Sequence, residues 1–160
     1  MPLFTVRPVS ADDTDTRARA LDLAWRVFDE DVLPESGPGA RDTFRAYIYG
    51  DALAGRIDNG DYRLYVATLG DELIGMMLVR ARCHIAALFT DGAHRRMGVG
   101  GALINEARSF RRMLGEPAEL SVNASPGGLP FYERMGFTAL GPERMEDGIR
   151  FTPMGSREGS

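Results

Sequence analysis

The stretch Arg95-Arg96-Met97-Gly98-Val99-Gly100-Gly101 has the residue types and spacing that could do chemistry. An apolar run at residues 84–89 precedes it and reads as a buried strand. Behind it Val99, Leu103, Ala107, Phe110 and Leu114 recur at helical spacing, so the glycines sit where a strand hands over to a helix. The start of a helix leaves backbone N–H groups without partners and carries the positive end of the helix dipole. Glycines there let an anion come close to those donors, and the stretch is a seat for a diphosphate. A Walker A loop ends in Gly-Lys-Ser/Thr, which a chain without lysine cannot supply. The dinucleotide fingerprint fits Gly98 and Gly100 but then meets Leu103, and no ribose-binding acid follows a clear parallel unit.

What the stretch does match is Arg/Gln-x-x-Gly-x-Gly/Ala directly after an apolar strand. A second motif follows further along: a strand-like run at residues 120–125, then Leu129-Pro130-Phe131-Tyr132-Glu133-Arg134-Met135-Gly136-Phe137, a short helix closed by glycine. Together the two motifs resemble the GNAT N-acetyltransferase superfamily, Arg95-x-x-Gly98-x-Gly100 its acyl-CoA-binding motif and Phe-Tyr-Glu-Arg-x-Gly-Phe the motif after it. His84-Ile85-x-x-Leu88-Phe89, Val122-Asn123-Ala124-Ser125-Pro126 and Gly148-Ile149-Arg150-Phe151-x-Pro153-Met154 look like a bacterial branch of unassigned acceptor. The resemblance covers most of the chain from Tyr62 onward and the N-terminal third loosely. Gly92 stands where relatives often carry proline and Thr90 where they often carry valine.

The resemblance implies transfer of an acetyl group from acetyl-CoA to a primary amine, directly, in a ternary complex. Leu88, Phe89 and Thr90 would pair with the pantetheine arm as a strand edge does. Backbone N–H groups across Arg95, Arg96, Met97, Gly98, Val99, Gly100 and Gly101 would hold the pyrophosphate, with the two arginines adding charge. Tyr132 matches the acid that protonates the departing thiolate; its other reading is a core tyrosine beside Phe131 and Phe137. No glutamate lies on the strand before the glycine loop, so His84 is the best substitute for the base, or else a hydrogen-bonded strand residue. Asn123 and Ser125 could orient water or pantetheine, while Ser125 before Pro126 also reads as a helix N-cap. The first two helices commonly wall the acceptor site in this superfamily. That makes Trp25, Phe28, Asp29, Glu30, Phe44 and Tyr47 candidates for substrate contacts, against the plainer reading of core aromatics and solvated acids. Asp31 and Glu35 belong to the same acidic stretch and agree with a cationic amine. The superfamily also contains users of longer acyl groups and forms dimers. A rival function is a domain that binds acyl-CoA and regulates a partner without catalysis; such a domain would not need Tyr132. Acylation of an aminoacyl-tRNA or a protein is a further possibility within the enzymes.

A chain of 160 residues, 44% hydrophobic and 26% charged, is expected to form one domain. We assign that domain to residues 1–154 and a disordered tail to 155–160. A net charge of −4 offers no general attraction to nucleic acid or anionic membrane. Cys83 is the only cysteine, which excludes an intrachain disulfide, and no leader pattern or membrane-length apolar run appears. The expectation is a soluble cytoplasmic protein. Two histidines and one cysteine at these spacings suggest no metal site.

The elements that must carry these residues are legible in outline. Residues 3–9 read as a strand, and Ser10, Asp12 and Asp13 open a helix buried through Leu21, Ala24 or Trp25, and Phe28. Residues 29–39, with two prolines and two glycines, read as loop, followed by a helix at 41–49 and a helical turn at 51–57. Residues 62–69 and 72–79 form a hairpin around Gly70-Asp71. Terminal strands are expected at 137–140 and 149–151. The fold class is α+β (mixed α/β), with a central, mostly antiparallel twisted sheet flanked by helices on both faces.

Overall fold

The computed structural model describes residues 3–80 and 83–156. Strand β1 (Thr5–Pro8) leads into helix α1 (Thr14–Val27), whose cap is Asp13: its carboxylate accepts from the Thr16 N–H at 3.1 Å and the Thr16 hydroxyl at 2.8 Å. Where the sequence suggests a loop after α1, the chain stays helical. A π-helical turn, Phe28–Val32, passes into a 3-10 turn, Leu33–Glu35. The reason is packing: Phe28 is buried and stacks on Phe44 with ring centres 4.0 Å apart, which keeps the turn wound, and Pro34 is tolerated near a helix start. Helices α2 (Ala40–Ile48) and α3 (Asp51–Asp58) follow.

Strands β2 (Tyr62–Leu69), β3 (Glu72–Arg80) and β4 (His84–Thr90) form an antiparallel meander, as the β-rich runs around Gly70-Asp71 suggest. Helix α4 (Val99–Met113) then crosses one face and leads to β5 (Ser121–Ala124), which pairs parallel to β4. Helix α5 (Leu129–Arg134) and strands β6 (Phe137–Ala139), β7 (Arg144–Glu146) and β8 (Ile149–Ser156) complete the chain. The sheet order is β1-β2-β3-β4-β5-β8-β6, with β7 paired to β8, and every neighbouring pair except β4–β5 is antiparallel. Helices α1, α2 and α3 cover one face of this sheet; α4 and α5 cover the other.

Two boundaries differ from the sequence reading. The last strand does not stop near Phe151, and residues 155 and 156, expected in a disordered tail, belong to it. Gly155 pairs with Ser121 and Thr138, and Ser156 is buried, its hydroxyl accepting from the Leu120 N–H at 3.0 Å. Pro153, within this strand, cannot donate to a ladder. Its carbonyl still accepts, taking the Leu140 N–H at 2.7 Å, so the strand passes through it. Residues 157–160 lie outside the described part. The buried face of α4 also departs from expectation. Val99, Leu103 and Ala107 are inside, but the stripe continues through Arg108 and Arg111, and Leu114 is half exposed. Arg111 is accommodated because its Nε donates to the Pro117 carbonyl at 2.6 Å, and the Arg108 guanidinium lies 5.6 Å from the Phe137 ring centre.

Helix α4 lies close against β3 because residue 75 has no side chain. A Cβ built on Gly75 would stand 2.6 Å from the Val99 Cγ1 and 3.3 Å from the Leu103 Cδ1. Val99 is β-branched and stiff, so it cannot swing aside. Gly75→Ala should therefore destabilise the fold by about 1–3 kcal/mol, the usual range for overpacking, read as a lower urea midpoint at unchanged slope. An unchanged midpoint would show that α4 does not sit this close.

Candidate active site

Strands β4 and β5 pair at only two positions, His84 with Ser121 and Ile85 with Val122. Beyond them β4 runs on to Thr90 with no partner on that side among the described residues, while β5 turns to β8. A register shift between Leu78 and Val79 marks where the divergence begins: Leu78 pairs with Ala87 and Val79 with Ile85, leaving Ala86 as the bulged residue. The Asp91 N–H donates to the Ile74 carbonyl at 2.8 Å. This fixes the alternation: residues 87, 89 and 91 turn their polar backbone groups to β3, while Leu88 and Thr90 turn theirs to the open edge. Of the three strand residues singled out in the sequence, two thus offer free backbone groups, and Phe89 instead places its ring against Phe44, 5.8 Å between centres.

The open edge leads straight to the glycine loop. Arg96 and Gly98 both adopt left-handed backbone, at φ 69° and 82°, and Gly98 caps α4 without any side-chain hydrogen bond. Ala102 is the first residue whose N–H closes onto the helix, at 3.0 Å from the Gly98 carbonyl. The N–H groups of Val99, Gly100 and Gly101 precede that bond and have no intrahelical partner. Nothing lies within 4 Å of a Cβ built on Gly98, so the approach to these donors is open. A cleft of about 540 Å³ adjoins it, lined by Met97, Gly98, Gly101, Ala102, Asn105, Met135 and Phe4. Gly100 has a different reason to be glycine: a Cβ there would meet the Phe131 ring at 2.9 Å. Free amides, the helix dipole and an open glycine make a seat that fits a diphosphate.

The arginines of the loop are not equivalent. Arg95 is engaged by the Asp31 carboxylate of the π-helical turn. The loop between β4 and α4 is pinned further by Asp91, which takes Arg26 of α1 at 2.8 Å and His94 Nδ1 at 2.6 Å. Arg26 above all, with His94 beside it, holds the Asp91 carboxyl below its ordinary range. Glu72, Asp91 and His94 bring ligand-type atoms within 4.8 Å of one another, a grouping that counting His and Cys spacing overlooks. Asp91 is already committed to Arg26 and His94, so the grouping is a hydrogen-bonded network in this structure.

Tyr132 sits one turn into α5, buried edge-to-face between Phe131 and Phe137 at ring-centre distances of 5.1 and 5.4 Å. Burial pushes its phenol well above the usual value of 10. Ser125 does not cap α5 directly. Its hydroxyl and its carbonyl both accept from the Gly128 N–H, at 3.1 and 3.0 Å, and the helix starts at Leu129 with Pro130 in its first turn. Asn123 is exposed on β5 just past the last pair with β4.

His84 and the acceptor-wall aromatics are placed differently from expectation. His84 stands at the closed end of the divergence, about 13 Å along the strand from Leu88. Its Nδ1 shares a 2.8 Å hydrogen bond with the Ser121 hydroxyl, and burial, with Arg80 assisting, lowers its pKa from 6.5 to about 4. Phe28 is 2% exposed and stacked in the core, so its ring is spent on packing. Tyr47, half-buried and packed on the same cluster, has its phenol pushed up by burial and by the Tyr62 hydroxyl beside it. Trp25 carries Arg41 and Arg45 over its ring at 4.9 and 5.2 Å, Asp29 is paired with Arg41 at 2.5 Å, and Glu30 is exposed. Asp31, the partner of Arg95, and Arg26, which pairs with Asp91, come from far away in sequence, and no local pattern announces them.

A profile of the acetyltransferase (GNAT) domain matches residues 28–157. The chain belongs to the GNAT acetyltransferase family. An uncharacterised N-acetyltransferase of Escherichia coli (strain K12), YafP, is 31% identical over 84 residues, 52% of this chain and 51% of its own. The chain thus spans about half the length of the curated relative it matches. The GNAT fold is also that of solved structures: PaiA N-acetyltransferase from Thermoplasma acidophilum, determined with coenzyme A, at TM-score 0.75 and 18% identity over 96% of this chain and 98% of that one. A GCN5-related N-acetyltransferase from Rhodopseudomonas palustris superimposes at TM-score 0.70 and 19% identity, over 96% and 94% of the two chains. No helix among the described residues is long and apolar enough to cross a membrane.

The placement of His84 has a measurable consequence. Its folded pKa lies below the ordinary one, so the unfolded chain takes up the proton first. Stability from this site is full above pH 6.5 and is lost as pH falls toward 4. Urea midpoints at pH 7 and pH 5 should differ less in His84→Asn than in the parent chain; an equal difference would show that His84 is not held in its neutral form.

Proposed function

We propose that the protein is an acyl-CoA-dependent N-acyltransferase that moves acetyl from acetyl-CoA to a primary amine in a ternary complex. One observation carries the reading: the open edge of β4 runs directly into the unpartnered amides at the start of α4, with the loop before Tyr132 across the gap. A strand edge followed by an anion seat suits a ligand that is amide-bearing along one part and diphosphate at the next. Acetyl-CoA supplies the thioester. Family membership and a coenzyme A complex of a fold neighbour support the same choice.

Leu88 and Thr90 bind the pantetheine amides, and one of their N–H groups polarises the thioester carbonyl. Val99, Gly100 and Gly101 hold the diphosphate, and Arg96 adds charge at the entrance. Tyr132 remains protonated at every physiological pH because burial raises its phenol, so it acts as a hydrogen-bond donor to the thiolate as the C–S bond breaks. His84 is too far along β4 for the amine's proton. Asn123, exposed beyond the last β4–β5 pair, orients the water that carries that proton out.

Calorimetry tests the donor. Acetyl-CoA and CoA should bind in the micromolar range, about −8 kcal/mol, and NAD and ATP should not. Tyr132→Phe should lower kcat at least 10²-fold, on the order expected of a lost general acid, with acetyl-CoA affinity unchanged. Absence of CoA binding overturns the reading. Binding without release of thiol to any amine would instead favour an acyl-CoA-sensing domain.

A further inference from the structure

Helix α4 buries a charge that no described residue neutralises. Arg108 is 3% exposed, and its Nε and Nη2 are enclosed without a hydrogen-bond partner. Arg111, on the same stripe, is treated differently: its Nε donates to the Pro117 carbonyl at 2.6 Å, and the Glu116 carboxylate lies 3.7 Å from its Nη1. The charge that acts on Arg108 is another cation, Arg112. Burial above all, with Arg112 assisting, disfavours the charged form, yet a guanidinium keeps its proton inside a protein. An uncompensated buried cation is costly, and an apolar side chain of similar volume would cost less. Packing alone gives no reason for an arginine here.

What Arg108 does touch leads to the candidate site. Its guanidinium lies over the Phe137 ring, 5.6 Å from the centre, and the same ring meets Tyr132 edge-to-face at 5.4 Å. Both aromatic residues are buried. Measured through that shared ring, the guanidinium and the Tyr132 ring centre are at most about 11 Å apart. Across such a distance, at the effective dielectric of a protein interior, one unit charge shifts the ionisation of another by roughly tenfold. The aromatic ring satisfies the face of the guanidinium and leaves its N–H edge, and its charge, unspent.

We propose that Arg108 is a positioning residue of the transfer reaction: its uncompensated charge, acting through Phe137, stabilises the negative charge that forms on the CoA sulfur beside Tyr132. This rests on the acyltransferase reading and deepens it. The amine nitrogen bonds to the acyl carbon, the C–S bond breaks with its electron pair passing to sulfur, and the amine's proton leaves through water. Tyr132 donates a hydrogen bond to the new thiolate, and the guanidinium supplies the field behind that donor. Because the cation is fixed before the charge appears, nothing has to reorganise when it does.

The test uses CoA itself, whose thiolate absorbs in the ultraviolet, so that its thiol can be titrated in the complex by difference absorbance without any acceptor. Arg108→Met and Arg108→Gln should each raise the pKa of the bound thiol by about 1, the tenfold loss expected of the missing charge. That difference should persist from low to high salt, because a buried charge is little screened. Arg112→Gln, which removes an exposed arginine of the same helix, should leave the bound thiol unchanged. Acetyl-CoA affinity by calorimetry should be the same in all four proteins, since the thioester carries no charge at sulfur, and the urea midpoint of Arg108→Met should equal or exceed the parent's. An unmoved thiol pKa in both Arg108 variants would overturn the proposal. A shift accompanied by loss of acetyl-CoA affinity or by a lower urea midpoint in both would also overturn it, marking Arg108 as a packing residue. A parent chain that binds no CoA would overturn the donor reading and this proposal with it, and calorimetry on the parent tells the two failures apart.

Discussion

Two residue pairs join the two parts of the sheet, and the candidate site exists because there are only two. His84 with Ser121 and Ile85 with Val122 hold β4 to β5; after Ile85 the bulge at Ala86 turns the strand and the ladder ends. A longer parallel ladder would close the edge of β4 and satisfy Leu88 and Thr90 with protein. A shorter one would leave the β5–β8 half unattached to the meander. The antiparallel remainder, with a helical layer on each face, holds the divergence at this width.

Helix α4 turns that gap into a site. Its position depends on the missing side chain at residue 75, on Val99 lying against that space, and on Phe131 filling the one beside Gly100. The glycines of the motif therefore do different work. Gly98 supplies a left-handed turn and an unobstructed approach, whereas Gly100 admits an aromatic ring from α5. Through that ring the helix that offers its amides touches the helix that carries Tyr132.

The meander, the strand-to-helix handover and the short helix around Tyr132 were legible in the sequence because each is a local pattern: apolar β-rich runs, helical spacing, glycine at a turn. The family followed from two such patterns in order. What stayed hidden depends on contacts between distant segments. No local signal says that residues 28–35 remain wound, since it is the stacking of Phe28 on Phe44 that keeps them so. Apolar spacing could not place Arg108 and Arg111 inside, because their burial relies on a carbonyl at Pro117 and a ring at Phe137. His84 was singled out for its chemistry and its strand; it lies on that strand, but burial lowers its pKa, and its distance from the opening is a matter of where β5 begins. Glu35 lies against Gly127 of the β5–α5 connection, another contact between distant segments that no local pattern announces.

Among the described residues, guanidinium groups build the pairs that join distant segments: Arg26 with Asp91, Arg41 with Asp29, Arg63 with Glu116, and Arg95 with Asp31. Planar, forked donors suit such bracing, as the two-pronged contact of Arg63 with Glu116 at 3.0 and 2.9 Å illustrates. The same preference has a chemical side. With no lysine in 160 residues, the chain offers no ε-amine to an activated acetyl group. Under the proposed function, the chain presents no lysine side chain for its own acyl donor to modify, and stray acylation would find no side-chain amine charge to remove.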